Sequence, residues 1–197
     1  MGTKARTRVS RIFFAGIGLS FVAIASYFLY WEHALHRFTA VTAHQLYQSA
    51  EMPPDELLEV ARRHGIRTVI DLRRSEDSPI EIAAERAALA DSDVAYIHLP
   101  ANHVPEEATV MQFLEIVGNP ANRPVLIHCK HGTGRSVLFA SIFRVEFENW
   151  DNEVARRAVE PLHWRGNFAP DSPKGRYLLA YKPHPAKLVF ASNNSDQ

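Results

Sequence analysis

The stretch Val125-Leu-Ile-His-Cys-Lys-His-Gly-Thr-Gly-Arg-Ser136 constrains this chain more than any other. An apolar run, Val125 to Ile127, stops at His128 and Cys129. Two glycines follow, then Arg135, Ser136 and a second, longer apolar stretch. Such a pattern reads as a buried strand, a tight loop and the first turn of a buried helix. Strand-like and helix-like segments alternate upstream, so the expected fold class is α/β: a central mixed sheet flanked by helices. The loop then falls at the C-terminal end of a strand, where open sheets bind ligands.

The residue types in that loop suit a phosphate. Gly132 and Gly134 let the backbone curl, so that the amides of Lys130, His131, Gly132, Thr133, Gly134 and Arg135 form an anion cradle at a helix N-terminus. Arg135 offers a planar fork for two phosphoryl oxygens. The amides, the helix dipole and the guanidinium all favour thiolate over thiol at Cys129. Ser136 can donate to the sulfur when it leaves. Together these suit nucleophilic attack on a phosphomonoester through a covalent intermediate. An inert buried cysteine, the blander reading, needs none of these neighbours.

Cys129 is the only cysteine among 197 residues. That excludes a disulfide framework, a cysteine-based zinc site and an intramolecular resolving thiol. The histidines are scattered without metal spacing, so no metal and no cofactor is expected. Acids and bases balance at 22 each, and no global field argues for nucleic acid.

The N-terminus has its own logic. Residues 1–11 carry Lys4, Arg6, Arg8 and Arg11 and no acid; residues 12–31 carry no charge at all. Twenty helical residues span about 30 Å, the thickness of a bilayer's hydrocarbon core. Tyr27, Tyr30 and Trp31 gather at the far end, where aromatic rings favour the interface. A transmembrane signal anchor is expected, oriented N-in and C-out. The competing reading is a signal peptide cleaved after Ala23-Ile24-Ala25. Both put the remaining chain outside the cytoplasm.

Further on, Leu46–Ala50 reads as extended, Pro53 and Pro54 as the start of a helix stopped by Gly65, and Arg67–Arg73 as a central strand. His64 is read as a helix-end residue. Ile80–Ala90 reads as a helix and Val94–Pro100 as a strand. A helix opens at Pro105, the buried helix runs from Ser136 to about Asn149, another is capped by Asp151 or Asn152, and a last covers Pro173–Tyr181. A domain over 35–185 and a frayed tail over 186–197 follow.

His128-Cys-Lys-His-Gly-Thr-Gly-Arg-Ser136 resembles the H-C-x5-R-[S/T] loop of the protein tyrosine phosphatase superfamily. Beyond it, Leu46–Ala50, Thr68–Arg73, the Pro100 loop, Pro124–Ser136 and Trp150-Asp151 look like the bacterial dual-specificity branch, in its membrane-tethered or periplasmic Gram-negative form. The resemblance implies a compact phosphatase fold with a shallow pocket, open to phosphoserine and phosphothreonine as well as phosphotyrosine. It implies Cys129 as nucleophile, Arg135 as phosphate clamp and Ser136 as the sulfur's donor. It also implies a phosphoprotein substrate and an inner-membrane location with the catalytic domain in the periplasm.

One position departs from the family pattern. Members carry an aspartate general acid in the loop after the Pro100 strand, but here that loop reads Pro100-Ala-Asn-His-Val-Pro-Glu-Glu107. His103 is the candidate acid. Asn102 has no proton to give, Glu106 and Glu107 fit a helix's first turn, and Asp71 suits a structural role with Arg73. Two further functions compete with the phosphotyrosine reading. An inositol-phosphate or phosphoinositide phosphatase would use Lys130 and His131 on additional phosphates, although Thr133 stands where a second loop base would help. A phosphate-binding pseudophosphatase would follow from the missing aspartate.

Overall fold

A computed structural model describes residues 16–27, 30, 35–159 and 166–184. The chain divides into two units, Met1–Arg37 and Phe38–Gln197. In the first, a helix covers residues 16–27 with Ile17, Leu19, Phe21, Val22, Ile24 and Tyr27 exposed. The ends of the span expected at 12–31 lie outside the described residues, as do residues 1–11 and the tail at 186–197. Among the described residues no helix is long and apolar enough to cross a membrane.

The second unit is built on five strands: β1 (Thr39–Thr42), β2 (Leu46–Ala50), β3 (Thr68–Asp71), β4 (Ala95–His98) and β5 (Val125–Cys129). Their order is β1-β2-β5-β3-β4, with β1 antiparallel and the other pairings parallel. The sheet is therefore mixed, as expected. The helices are α1 (Pro54–His64), α2 (Pro79–Ala90), α3 (Glu107–Gly118), α4 (Arg135–Phe147), α5 (Asn152–Val159) and α6 (Pro173–Ala180), with a 3-10 turn at Pro120–Asn122.

The sequence boundaries hold to within a residue or two, with two differences. The helix expected from Pro105 begins at Glu107, Glu106 being its extended N-cap. The edge strand β1 has no counterpart in the sequence reading. Four residues, Thr-Ala-Val-Thr, give no legible alternation. They become a strand because β2 offers an edge to pair with, across an irregular register between Ala40 and Thr42. At the end of α1, His64 packs its ring against Phe38 and Tyr47, at 4.6 and 5.4 Å between centroids. Its helix-end role stands.

Two cores result from the two-residue period of the strands. Leu46, Ile70, Val125 and Ile127 face α3, α4, α5 and α6, whose Phe113, Phe139, Ala155 and Leu178 are buried with them. Tyr47, Val69 and Leu126 face the other way, toward Leu57 and Ala61 of α1 and Leu89 of α2. Helix α4 is buried from Arg135 through Ile142 and Phe143, which is why it is apolar all round. Cys129 falls on the α4 side of β5, and His128, one residue earlier, falls on the α2 side.

Candidate active site

The parallel strands end together at the loop between β5 and α4. Gly132 sets how close that loop comes to the sheet. Its φ is +63°, and a Cβ there would lie 2.5 Å from the backbone nitrogen of Ala50, at the end of β2. Only glycine allows that approach.

Cys129 is buried, its Sγ 3.4 Å from Ser136 Oγ. Ser136 also donates to Gln48 Oε1 at 3.1 Å, from the buried face of β2. A hydroxyl has one proton. With a thiolate at Cys129, the hydroxyl donates its hydrogen bond to the sulfur, and Gln48 must then turn its amide NH2 toward Ser136. Gln48 gave no signal in the sequence: it reads as one polar residue in a strand.

Arg135 is buried and fixed at three points. Nη1 donates to the carbonyls of Leu72 at 3.1 Å and Ala101 at 3.4 Å, and Nη2 lies 2.9 Å from Asp77 Oδ2. Asp77 also lies 2.9 Å from Arg74 Nη2, and its carbonyl accepts from Lys130 Nζ at 3.3 Å. The hydrogen bond from Arg74, then that from Arg135, hold the Asp77 carboxyl well below the ordinary carboxylate range. Asp77 is therefore ionised and orients the guanidinium; it has no proton to give. Lys130 ties the Asp77 segment to the loop through this hydrogen bond. His131 is exposed, and the Thr133 carbonyl accepts from Asn167 Nδ2 at 3.4 Å.

The loop after β4 brings His103 to this same region. Partial removal from water, then Lys174, Arg135 and Arg74, lower the ring's pKa; Asp77 alone opposes them. Asn102 donates to Glu106 at 3.3 Å. Asp71 is fully buried. Arg73 bonds it from the backbone nitrogen, Nε and Nη2, and Tyr96 donates to it at 2.7 Å. Burial pushes its pKa up, but the Arg73 hydrogen bonds, with His128 and the guanidinium charge, carry it below the usual value. Its role is structural, as the sequence suggested.

Beneath the loop, His128 joins that buried charge network. Its Nε2 lies 2.6 Å from Glu85 Oε1. Arg73 pairs with Glu85 and, at 3.0 Å, with Glu51. Asp71, Glu85 and His128 place ligand atoms within 4.8 Å of one another, the one such group among the described residues. The Arg73 guanidinium already bonds both carboxylates there, so a cation is in place without a metal. Glu85 was invisible in the sequence, one of two acids in an alanine-rich helix.

The family model described as DSP-PTPase phosphatase fused to NAD+ kinase matches residues 42–166, more than half of the chain. The chain belongs to this DSP-PTPase phosphatase family. Among the family's relatives, the dual specificity protein phosphatase TpbA of Pseudomonas aeruginosa is 28% identical over 128 residues in one strain. In another strain it is 30% identical over 117 residues. These alignments cover 64% and 58% of this chain, and the chain spans about half the length of those relatives, 53% and 50%. A crystal structure of P. aeruginosa TpbA superposes with a TM-score of 0.54 at 26% identity, covering 70% of this chain and 81% of that one. The core catalytic domain of the PP-IP phosphatase SIW14 from S. cerevisiae gives a TM-score of 0.62 at 22% identity, covering 80% and 92%. The SIW14 likeness is one of fold.

Proposed function

We propose that this protein is a cysteine-dependent phosphatase acting on phosphotyrosine, with phosphoserine and phosphothreonine also within reach of its site. The observation that carries the reading is the buried Cys129–Ser136 pair beside a fixed Arg135 at the strand ends. The Cys129 sulfur attacks phosphorus, and the bond to the leaving oxygen breaks with its electron pair going to that oxygen. Water then attacks the phosphocysteine, releasing phosphate and the thiolate, to which Ser136 donates. Membership of the DSP-PTPase family supports this, as does a TpbA structure described in complex with pTyr.

His103 is the proton donor in this reading. Its pKa lies below the ordinary histidine value of ~6.5. A donor must be protonated in the free enzyme, so kcat/KM should fall as pH rises through that lowered pKa. His103→Gln should lower kcat/KM by about 10²-fold below it and flatten the basic limb. A profile unchanged by the substitution would remove His103 from the mechanism.

The direct test is phosphate release by the purified chain, with reductant and no added metal, from an aryl phosphate, phosphotyrosine and phosphoserine peptides, and an inositol polyphosphate. Absence of release from all of them would leave the pseudophosphatase reading. An inositol-phosphate phosphatase is the second reading, favoured by the likeness to the PP-IP phosphatase SIW14 and by higher turnover of the inositol polyphosphate.

We also infer that residues 12–31 tether the protein to an inner membrane with its second unit in the periplasm. The uncharged stretch, the basic residues before it and the exposed apolar side chains of residues 16–27 support this. Membrane pelleting that resists alkaline carbonate, with protease access from the periplasm only, is the expected result; release by carbonate would refute it.

A further inference from the structure

Lys174, at the start of α6, stands apart from the other cations around the loop. Arg74, Arg135 and Lys130 are all held by Asp77, through its carboxylate or its carbonyl. Lys174 is half-buried, and among the described residues it has no hydrogen bond and no ion pair. Withdrawing an ammonium from water without a counter-ion costs free energy. Burial duly pulls its pKa below the ordinary lysine value, with Arg135 adding to the effect and the Cys129 sulfur opposing it.

Its placement is built, not incidental. Ser172 caps α6 by accepting from the Gly175 amide at 3.0 Å, with Pro173 in the first turn. Gly175 seats the helix on the preceding segment so tightly that a Cβ there would sit 1.9 Å from the Ala169 carbonyl oxygen. Asn167, in the same segment, bonds the Thr133 carbonyl of the site loop. These contacts bring the Lys174 side chain over Gly134: a Cβ on Gly134 would lie 3.5 Å from Lys174 Cε and 3.7 Å from Nζ. From there Lys174 acts on Cys129 and Arg135, and it is the strongest of the cations acting on His103. Lys174 therefore lies beside the place where Arg135 and the loop would hold a phosphoryl group.

We propose that Lys174 is a specificity-determining residue that binds a second phosphate of the substrate, next to the phosphoryl group being transferred. The substrate class is one bearing two adjacent phosphoryl groups, as a phosphoanhydride or as neighbouring esters, in preference to an isolated phosphomonoester. The inference rests on the phosphatase reading of the Cys129 loop and deepens its second form. The reacting phosphoryl group already has Arg135 and the loop amides, so an ammonium beside Gly134 with no hydrogen bond or ion pair among the described residues is available to a second phosphate. A protein substrate with one phosphotyrosine brings no such charge.

The test is calorimetric binding of inorganic pyrophosphate and inorganic phosphate to the full chain, as wild type, Lys174→Met and Lys174→Gln. Wild type is expected to bind pyrophosphate at least about tenfold more tightly than phosphate. That ratio should fall to about threefold or less in both variants, with their melting transitions intact. A wild-type ratio near one, or a ratio unaltered by both substitutions, would overturn the proposal. Binding needs no turnover, so the two ideas fail separately. A ten-fold ratio that depends on Lys174, in a protein with no Cys129-dependent phosphate release, upholds the subsite and sinks the phosphatase reading. Where release occurs, the ratio of kcat/KM for an anhydride substrate to that for an esterified vicinal bisphosphate tells the two substrate forms apart.

Discussion

Cys129→Ser should abolish phosphate release, by at least about 10⁴-fold in kcat, while leaving the protein folded and able to bind a phosphorylated ligand. The sulfur sits on the α4 face of β5 with Ser136 3.4 Å away, and no second cysteine exists to replace it. A serine hydroxyl fits the same space, keeps the contact to Ser136 and leaves Arg135 pinned by Leu72, Ala101 and Asp77. That hydroxyl is a far weaker nucleophile than a thiolate, and among the described residues no base is in hydrogen-bond contact to activate it. The measurement is single-turnover phosphate release alongside ligand binding. Binding that persists with release gone identifies the covalent step. Release that survives at more than about a hundredth of the wild-type rate would show that water is activated elsewhere, and the phosphocysteine route would fall.

Arg73→Met should destabilise the protein by about 3–5 kcal/mol. Arg73 is buried at the centre of the network beneath the loop, bonding Asp71 and Glu85, which are themselves buried, and Glu51 at the rim. Removing the guanidinium strands two carboxylates in the interior, the case in which breaking a buried pair costs most. For a domain of this size the melting temperature should drop by about 10 °C. The pH dependence gives an internal check. In the wild type, Asp71 has a depressed pKa, so its contribution is fully present above about pH 4 and is lost as pH falls through the lower folded value. In the variant the stranded carboxylates no longer gain from being ionised, so its deficit should shrink as acid neutralises them. Adding Glu85→Gln to Arg73→Met should recover part of the loss, because one of the two stranded charges is gone. A deficit that is constant across pH would mean that packing, not charge, sets the effect.

The same network shows why His128 and Cys129, adjacent in sequence, belong to different parts of the molecule. The pleat sends Cys129 to the ligand side and His128 to the α2 side, where Glu85 approaches. The alternation was readable in the sequence; the identity of the partner was not.

How much of this protein its residues declare on their own follows from the range of the interactions. Strand β5, the two-glycine loop and helix α4 are contiguous, so their apolar periods, glycines and charge types spell out the loop and its anion chemistry directly. Gly65 and Asp151 are local in the same way, ending α1 and capping α5. The residues that complete the site come from far away in the chain. Gln48 reaches Ser136 because β2 pairs with β5, Asp77 reaches Arg135 because β3 does, and Lys174 reaches Gly134 because Gly175 and Ser172 fix the start of α6. Nothing in a lone glutamine, aspartate or lysine marks it for such a place, since each is ordinary in its own segment. The edge strand β1 was decided in the same manner, by an available neighbour rather than by its own four residues. Sequence alone determined the strand–loop–helix and the chemistry it carries, because short-range backbone and side-chain preferences suffice there. The tertiary structure alone decided which charges are paired around that loop and that Lys174, beside Gly134, has no ion pair among the described residues, because pairing depends on chain segments that only the tertiary fold brings together.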